Sequence, residues 1–282
     1  MWTQKMKHVG VMAVVSLAVL ASSQVMAGPR LDQVLQSKTL RVGTPGDYRP
    51  FAIQADGAYS GHDIDVIEAM AKEMGVKVAY VPTTWPNLMA DLQADKFDVA
   101  VGGITRNVTR ISQAQMLPGY APFGKVALVR KAEAGKYKTA ASLNQPNVRV
   151  IKNPGGTNEA YVLANLPKAQ ISTHDKNAEI PALIAEGKGD VMITETYEAL
   201  HYAHADKRLH AAFLQQPLTP VNQLGFLYPK DDADFSRVLE FTELLSNLVY
   251  GIQAAFSVDC SSSCLPSLKM TLLTTKVNKL NP

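Results

Sequence analysis

Short apolar runs alternate with helical periods along most of the chain, and that alternation gives the first picture. Leu40 and Val42 mark a strand over residues 40–44. After Gly61, apolar positions recur at helical spacing through Val66, Ile67, Ala69, Met70 and Met74. They predict a helix over residues 65–74, stopped by Gly75. Residues 76–81 read as the next strand, and residues 85–94 as a helix with Leu88, Met89 and Leu92 on one side. Residues 97–101, Phe-Asp-Val-Ala-Val, follow as a strand. Strand, helix and strand in repetition predict an α/β sheet with right-handed crossovers.

The pattern begins again near Val126. Residues 125–130 read as a strand, 141–143 as a short helical turn, and 147–151 as a strand. Helices over 160–166 and 179–186 and a strand over 190–194 complete a second βαβ set. This set has its own core pattern, so two α/β lobes are expected. Residues 28–125 with 222–282 would form the first lobe, and 126–221 the second. Residues 207–218 and 224–229 would return the chain to the first lobe, with a helix over 235–250. Ligands of open α/β sheets bind beyond the carboxyl ends of strands. Thr44, Gly102-Gly103, Asn153-Pro154 and Thr194 fall there.

The start of the chain changes the picture. Lys5, Lys7 and His8 precede an apolar stretch over residues 9–20, and Val25-Met26-Ala27 ends in small residues suited to a signal peptidase. Residues 1–27 therefore read as a secretory signal cleaved after Ala27, giving a periplasmic protein with no stable membrane insertion. Its removal changes 28 basic against 25 acidic residues to 26 against 25. So even a balance carries no footprint for nucleic acid. It leaves open assembly into a homo-oligomer. Cys260 and Cys264 could pair in an oxidising compartment, but their spacing suggests no metal site. His201, His204 and His210, placed on an exposed helix and loop, form no ligand set either.

Two stretches carry candidate chemistry. Asn153-Pro154-Gly155-Gly156-Thr157-Asn158-Glu159 is a glycine-rich turn opening into a helix, with Thr157 or Asn158 as its N-cap. Thr194-Glu195-Thr196-Tyr197-Glu198 follows a buried-strand run and sets two carboxylates three residues apart, on one face if a helix begins there. Together they suit a cleft that binds an anion and holds carboxylates for proton transfer or amine binding. The plain alternative is a helix cap and two solvated glutamates.

With these belong Gly46-Asp47-Tyr48-Arg49-Pro50-Phe51, Gly61-His62-Asp63-Ile64-Asp65, Thr84-Trp85-Pro86-Asn87-Leu88 and residues 97–105. As a set they resemble the family 3 extracytoplasmic solute-binding proteins, over about residues 31–245. The branch they are most similar to is the periplasmic cyclohexadienyl dehydratases, which act on prephenate or arogenate. The resemblance implies a two-lobed, type II periplasmic-binding-protein-like α/β fold with a ligand cleft between lobes. It also implies a small-molecule carboxylate substrate and no cofactor or metal. Arg110 matches the arginine that pairs with the substrate α-carboxylate, with donors near Gly103, Thr105 and Thr157 completing that pocket. Lys125 would face a second carboxylate. Tyr48, Thr84 and Trp85 would contact substrate, Trp85 as an apolar wall over the ring. Glu198 matches the general acid and Asn158 the amide that orients the leaving oxygen. Glu195 stands where relatives hold an α-ammonium, usually with aspartate.

The implied activity is a carbon–oxygen lyase step in phenylalanine biosynthesis: prephenate to phenylpyruvate, and arogenate to phenylalanine. The alternative is a non-catalytic amino-acid-binding protein serving a transporter or a sensor. Arg106 departs from the family pattern, and would add charge at the cleft mouth or lie on the surface. Asn107-Val108-Thr109 is a glycosylation sequon by pattern. After Tyr250 the resemblance ends, and Pro266 and a serine run interrupt the apolar positions, so a poorly ordered tail is expected.

Overall fold

A computed structural model describes residues 28–250, with side chains through residue 243. The expected signal, the cysteine pair and the tail beyond Tyr250 lie outside the described residues. The first sheet runs Lys77–Pro82, Thr39–Thr44, Val99–Ala100, Leu227–Tyr228, Gln115–Met116. Its first three strands are parallel, and Leu227–Tyr228 enters antiparallel between its neighbours. The second sheet runs Gln170–Thr173, Arg149–Lys152, Val191–Glu195, Lys125–Arg130, Leu209–Ala212. There Lys125–Arg130 is antiparallel to both flanking strands. Tyr120–Phe123 and Asn222–Leu224 pair as an antiparallel ribbon between the sheets.

Strand period explains why the second lobe has a core on both faces of its sheet. Along Lys125–Arg130, Ala127 and Val129 enter one cluster with Val150, Val191 and Ile193. Val126 and Leu128 enter the other with Ile180, Ile184 and Met192. Successive side chains point to opposite faces, so a strand covered on both sides must be apolar throughout. That is why these runs were legible in the sequence.

In the first lobe, helix His62–Glu73 brings Ile64, Ile67 and Met70 into a core shared with Phe235 and Leu239 of helix Ala233–Tyr250. Each such burial stabilises by roughly 1.5–3 kcal/mol. Asp232 starts the latter helix, accepting the N–H groups of Asp234 and Phe235 at 2.9 Å. Its other oxygen accepts the Leu31 N–H at 2.9 Å, which fastens the first helix to the last.

One element differs from expectation. Leu209–Ala212 does not lead directly back to the first lobe but forms the edge strand of the second sheet. His210 is therefore on a strand, not a loop. Among the described residues, no helix is long and apolar enough to cross a membrane.

Candidate functional site

The lobes meet around a narrow cavity lined by residues of both, Tyr48, Trp85 and Arg110 among them on one side and Thr157, Asn158 and Glu195 on the other. Its first-lobe wall begins at the Gly102-Gly103 turn, where both N–H groups are donated to the buried Asp63 carboxylate at 2.9 and 2.8 Å. Gly103 thus lines the cavity without offering its N–H to it. It adopts φ +74°, and a Cβ there would lie 2.5 Å from the Tyr48 ring. Only glycine allows that approach.

Arg110 arrives on a short helix, Val108–Gln113, capped by Asn107. The Asn107 side-chain Oδ1 accepts the Arg110 N–H at 2.9 Å, so the sequon-like tripeptide works here as a helix cap. The guanidinium is buried, borders the cavity, and donates from Nη1 to the Thr105 carbonyl at 2.7 Å. Loss of hydration lowers its pKa to about 10, against the pull of Glu195. A buried cation of this kind gains from an incoming carboxylate. Arg106 does not reach the mouth; it donates to the Leu117 carbonyl.

On the second lobe, the glycine-rich turn starts its helix earlier than expected. The helix is Gly156–Asn165, with Gly155 at φ +72° as N-cap and no side-chain cap. Thr157 and Asn158 are inside the first turn instead of capping it. Glu159 folds back to accept the Gly155 N–H at 2.7 Å and pairs with Lys152. The side chains of Thr157 and Asn158 are thereby turned to Lys125, whose Nζ donates to them at 3.1 and 2.6 Å. Its third donor goes to Glu195 Oε1 at 2.9 Å. Lys125 does not itself line the cavity, but all of these partners do.

Glu195 ends strand Val191–Glu195 and precedes helix Thr196–Ala205 in extended conformation, with ψ 162°. It therefore does not share a helix face with Glu198. Burial alone would raise its pKa. The Lys125 charge and hydrogen bonds from Tyr48, Lys125 and Asn158 outweigh that and hold it below the usual carboxylate range. Glu198, in the first turn of the helix, is fully buried beside Asn177 Nδ2 at 2.7 Å and the Thr194 hydroxyl. Desolvation pushes its pKa well above the ordinary range, Glu195 and Asp47 push further, and the two hydrogen bonds oppose them. The balance favours the protonated form of Glu198.

Of the expected residues, Tyr48, Trp85, Gly103, Thr105 and Arg110 line the cavity from the first lobe. Thr157, Asn158 and Glu195 line it from the second. Glu198 does not line it; Asn177, which does, stands at its carboxyl. Thr84 is exposed, with its hydroxyl accepting the Asn87 N–H at 3.3 Å in the turn before helix Leu88–Gln93. That turn carries Trp85, whose Nε1 donates to Asp47 Oδ1 at 2.9 Å. Asn177 and the role of Asp47 escaped sequence reasoning, since neither carries a spacing that points to the other.

The lobes touch directly. The Tyr48 hydroxyl donates to Glu195 Oε2. The Thr105 and Thr157 hydroxyls lie 3.3 Å apart, and a Cβ on Gly155 would meet Pro86 N at 2.7 Å.

Comparison with known proteins agrees with this architecture. Over 232 residues the chain is 40% identical to a cyclohexadienyl dehydratase of Pseudomonas aeruginosa, covering 82% of this chain and 86% of that one. The crystal structure of AncCDT-1, an ancestral amino acid-binding protein described as a precursor of cyclohexadienyl dehydratase, superposes with TM-score 0.71. It shares 34% identity, and the match covers 80% of this chain and 96% of that one. An L-arginine-bound transporter substrate-binding protein of Streptococcus pneumoniae superposes with TM-score 0.72 at 27% identity, over 80% of this chain and 95% of its own. Residues 40–242 match the family described as bacterial extracellular solute-binding proteins, family 3, and the chain belongs to that family.

Proposed function

We propose that the protein is a periplasmic cyclohexadienyl dehydratase that converts prephenate to phenylpyruvate, and arogenate to phenylalanine. The observation that carries this reading is Glu198, a fully buried carboxyl whose pKa desolvation raises, held by Asn177 at the wall of the cavity that Arg110 borders. A binding protein has no use for such a proton donor, whereas loss of a hydroxyl at neutral pH requires one. The 40% identity to a cyclohexadienyl dehydratase supports the same reading.

In this mechanism Arg110 takes the side-chain carboxylate and Trp85 covers the ring, while Lys125 stands behind the wall and holds Thr157, Asn158 and Glu195 in place. Tyr48, Thr105 and Thr157 close the pocket around them. Asn158 orients the leaving oxygen. Glu198 gives its proton to the C4 hydroxyl as the C4–O bond breaks. The electron pair of the C1–carboxylate bond enters the ring, and carbon dioxide and water leave. Glu198 ends as a carboxylate and regains a proton before the next turnover.

A second reading has its own observation. Glu195 is ionised and lines the same cavity as Arg110. An amino acid could place its ammonium at Glu195 and its carboxylate at Arg110 without chemistry following. Incubating the protein with prephenate and following phenylpyruvate by its absorbance in alkali separates the two. Phenylpyruvate formed at enzymatic rates supports the dehydratase. No product, together with calorimetric binding of an amino acid, supports the binding protein.

A further inference from the structure

The asparagines at the cavity differ in what their amides still offer. Asn158 gives its carbonyl oxygen to Lys125 at 2.6 Å and sets Nδ2 3.5 Å from Glu195. Asn177 uses only its nitrogen. Nδ2 donates to Glu198 Oε1 at 2.7 Å and faces the Asp47 carbonyl oxygen at 3.3 Å. A backbone carbonyl only accepts, so this end of the amide must be nitrogen and the other end must be oxygen. Among the described residues, Asn177 Oδ1 is the one buried side-chain polar atom with no hydrogen-bonding partner. Yet the residue is 1% exposed and borders the cavity. Buried polar atoms are nearly always satisfied, and each exception calls for an explanation, a role in catalysis among them.

We infer that Asn177 is a substrate-contacting residue whose Oδ1 accepts the hydrogen of a ligand hydroxyl, so the cavity selects hydroxyl-bearing ring carboxylic acids. Identifying that hydroxyl with the leaving group rests on the dehydratase reading. The two arms of one amide then hold the two reactants, the hydroxyl on Oδ1 and the acid on Nδ2. A hydroxyl that donates its hydrogen becomes a better acceptor at its own oxygen. Asn177 would thus turn the lone pairs of the leaving oxygen away from itself and make them more basic, without giving or taking a proton. No sequence motif marks this residue. It lies in the 3-10 turn Asn177–Glu179, and its partners are 21 and 130 residues distant.

The test uses a ligand pair that differs only in the hydroxyl: 4-hydroxyphenylpyruvate and phenylpyruvate. Calorimetry on the wild type should give a preference of ~10-fold or more for the hydroxylated acid. In Asn177→Ala the preference should vanish, with phenylpyruvate affinity held to within about twofold. In Asn177→Asp, which keeps an oxygen in place, most of the preference should remain. A merely structural role would weaken both ligands equally. Equal affinities in the wild type, which no folding defect can explain, would overturn the inference. So would an unchanged preference in Asn177→Ala. Turnover of prephenate with no hydroxyl preference removes the inference and leaves the dehydratase. A hydroxyl preference without turnover does the reverse. Binding of neither acid overturns both.

Discussion

Lys125 and Glu195 form a buried ion pair, Nζ to Oε1 2.9 Å, and three residues after Glu195 stands a second buried glutamate, Glu198, held by the neutral Asn177 and Thr194. The same chemical group is thereby pushed in opposite directions. Glu195 is ionised because Lys125, Tyr48 and Asn158 repay its burial. The Glu198 pKa is raised because its hydrogen-bond partners, Asn177 and Thr194, are neutral and do not offset desolvation. Neighbouring groups whose environments drive their pKa values apart are how acid and ligand-holding roles become assigned.

Removing one partner of the pair tests that view. Lys125→Met leaves a buried carboxylate with only uncharged donors, which should destabilise the protein by about 2–4 kcal/mol in denaturant titrations. Lys125→Met with Glu195→Gln should recover most of the loss, since the uncompensated charge is then gone. Additive effects of the two substitutions would show that the ion pair contributes no coupling.

Glu198→Gln keeps size and polarity but lacks a transferable proton. Turnover of prephenate should fall by roughly 10²–10⁴, with the binding constant of a hydroxylated ring acid changing little. Stopped-flow binding and steady-state rates separate the two. Near-normal turnover would remove Glu198 from the chemistry.

Much of this arrangement was legible in the sequence, and the remainder had physical reasons to be hidden. Lys125–Arg130 and Val191–Glu195 are buried on both faces, so their apolar runs could be read directly. Leu209–Ala212 carries only Leu, His and two Ala, too weak a strand signal at a sheet edge. The N-cap was misplaced because Gly155 and Gly156 both take positive φ, which starts the helix before the first side chain that could cap it. Asn177 was missed because its importance depends on Asp47 in the other lobe, and such a contact leaves no local pattern.

Stability should depend on pH through Glu198 in a definite sense. Its native pKa is raised, so the unfolded chain releases the proton near pH ~4.3 while the folded one keeps it. Above that pH the unfolded state gains, and stability falls until the native group also ionises. Glu195 runs the other way: its native pKa is lowered, and its contribution is lost as pH falls through that value. The melting temperature of Glu198→Gln, relative to wild type, should therefore rise between about pH 5 and about pH 8. A constant difference across that range would mean that Glu198 is ionised in the native state.

Arg110 should separate affinity from stability. Its pKa, lowered to about 10, records an unfavourable burial of the cation in the ligand-free protein. Arg110→Met removes that cost, so the free protein should melt at the same or a higher temperature. Affinity for a ring keto acid should nevertheless drop by about 1.5–3 kcal/mol, because the charge-assisted bond to the carboxylate is lost. Unchanged affinity by calorimetry would place the carboxylate pocket elsewhere.

Trp85 offers a direct reading of cleft occupancy. The chain has two tryptophans, Trp2 and Trp85, and only Trp85 remains if the chain begins at residue 28. Its indole borders the cavity, donates to Asp47 at 2.9 Å, and meets the Tyr48 ring edge-on at 5.9 Å. Burial raises the Asp47 pKa and the Trp85 hydrogen bond opposes it, so the indole lies beside a carboxyl that can titrate. A ring acid seated against this wall displaces water from the indole face and should shift or quench its emission. The effect should saturate with the same dissociation constant that calorimetry gives, and it should disappear in Arg110→Met at ligand concentrations that fill the wild type. Asp47→Asn keeps an acceptor for the indole but removes the titrating carboxyl. It should retain the ligand response while abolishing any pH dependence of the free protein's emission. A titration in which ligand binds with no change in Trp85 emission would show that the ring does not stack there.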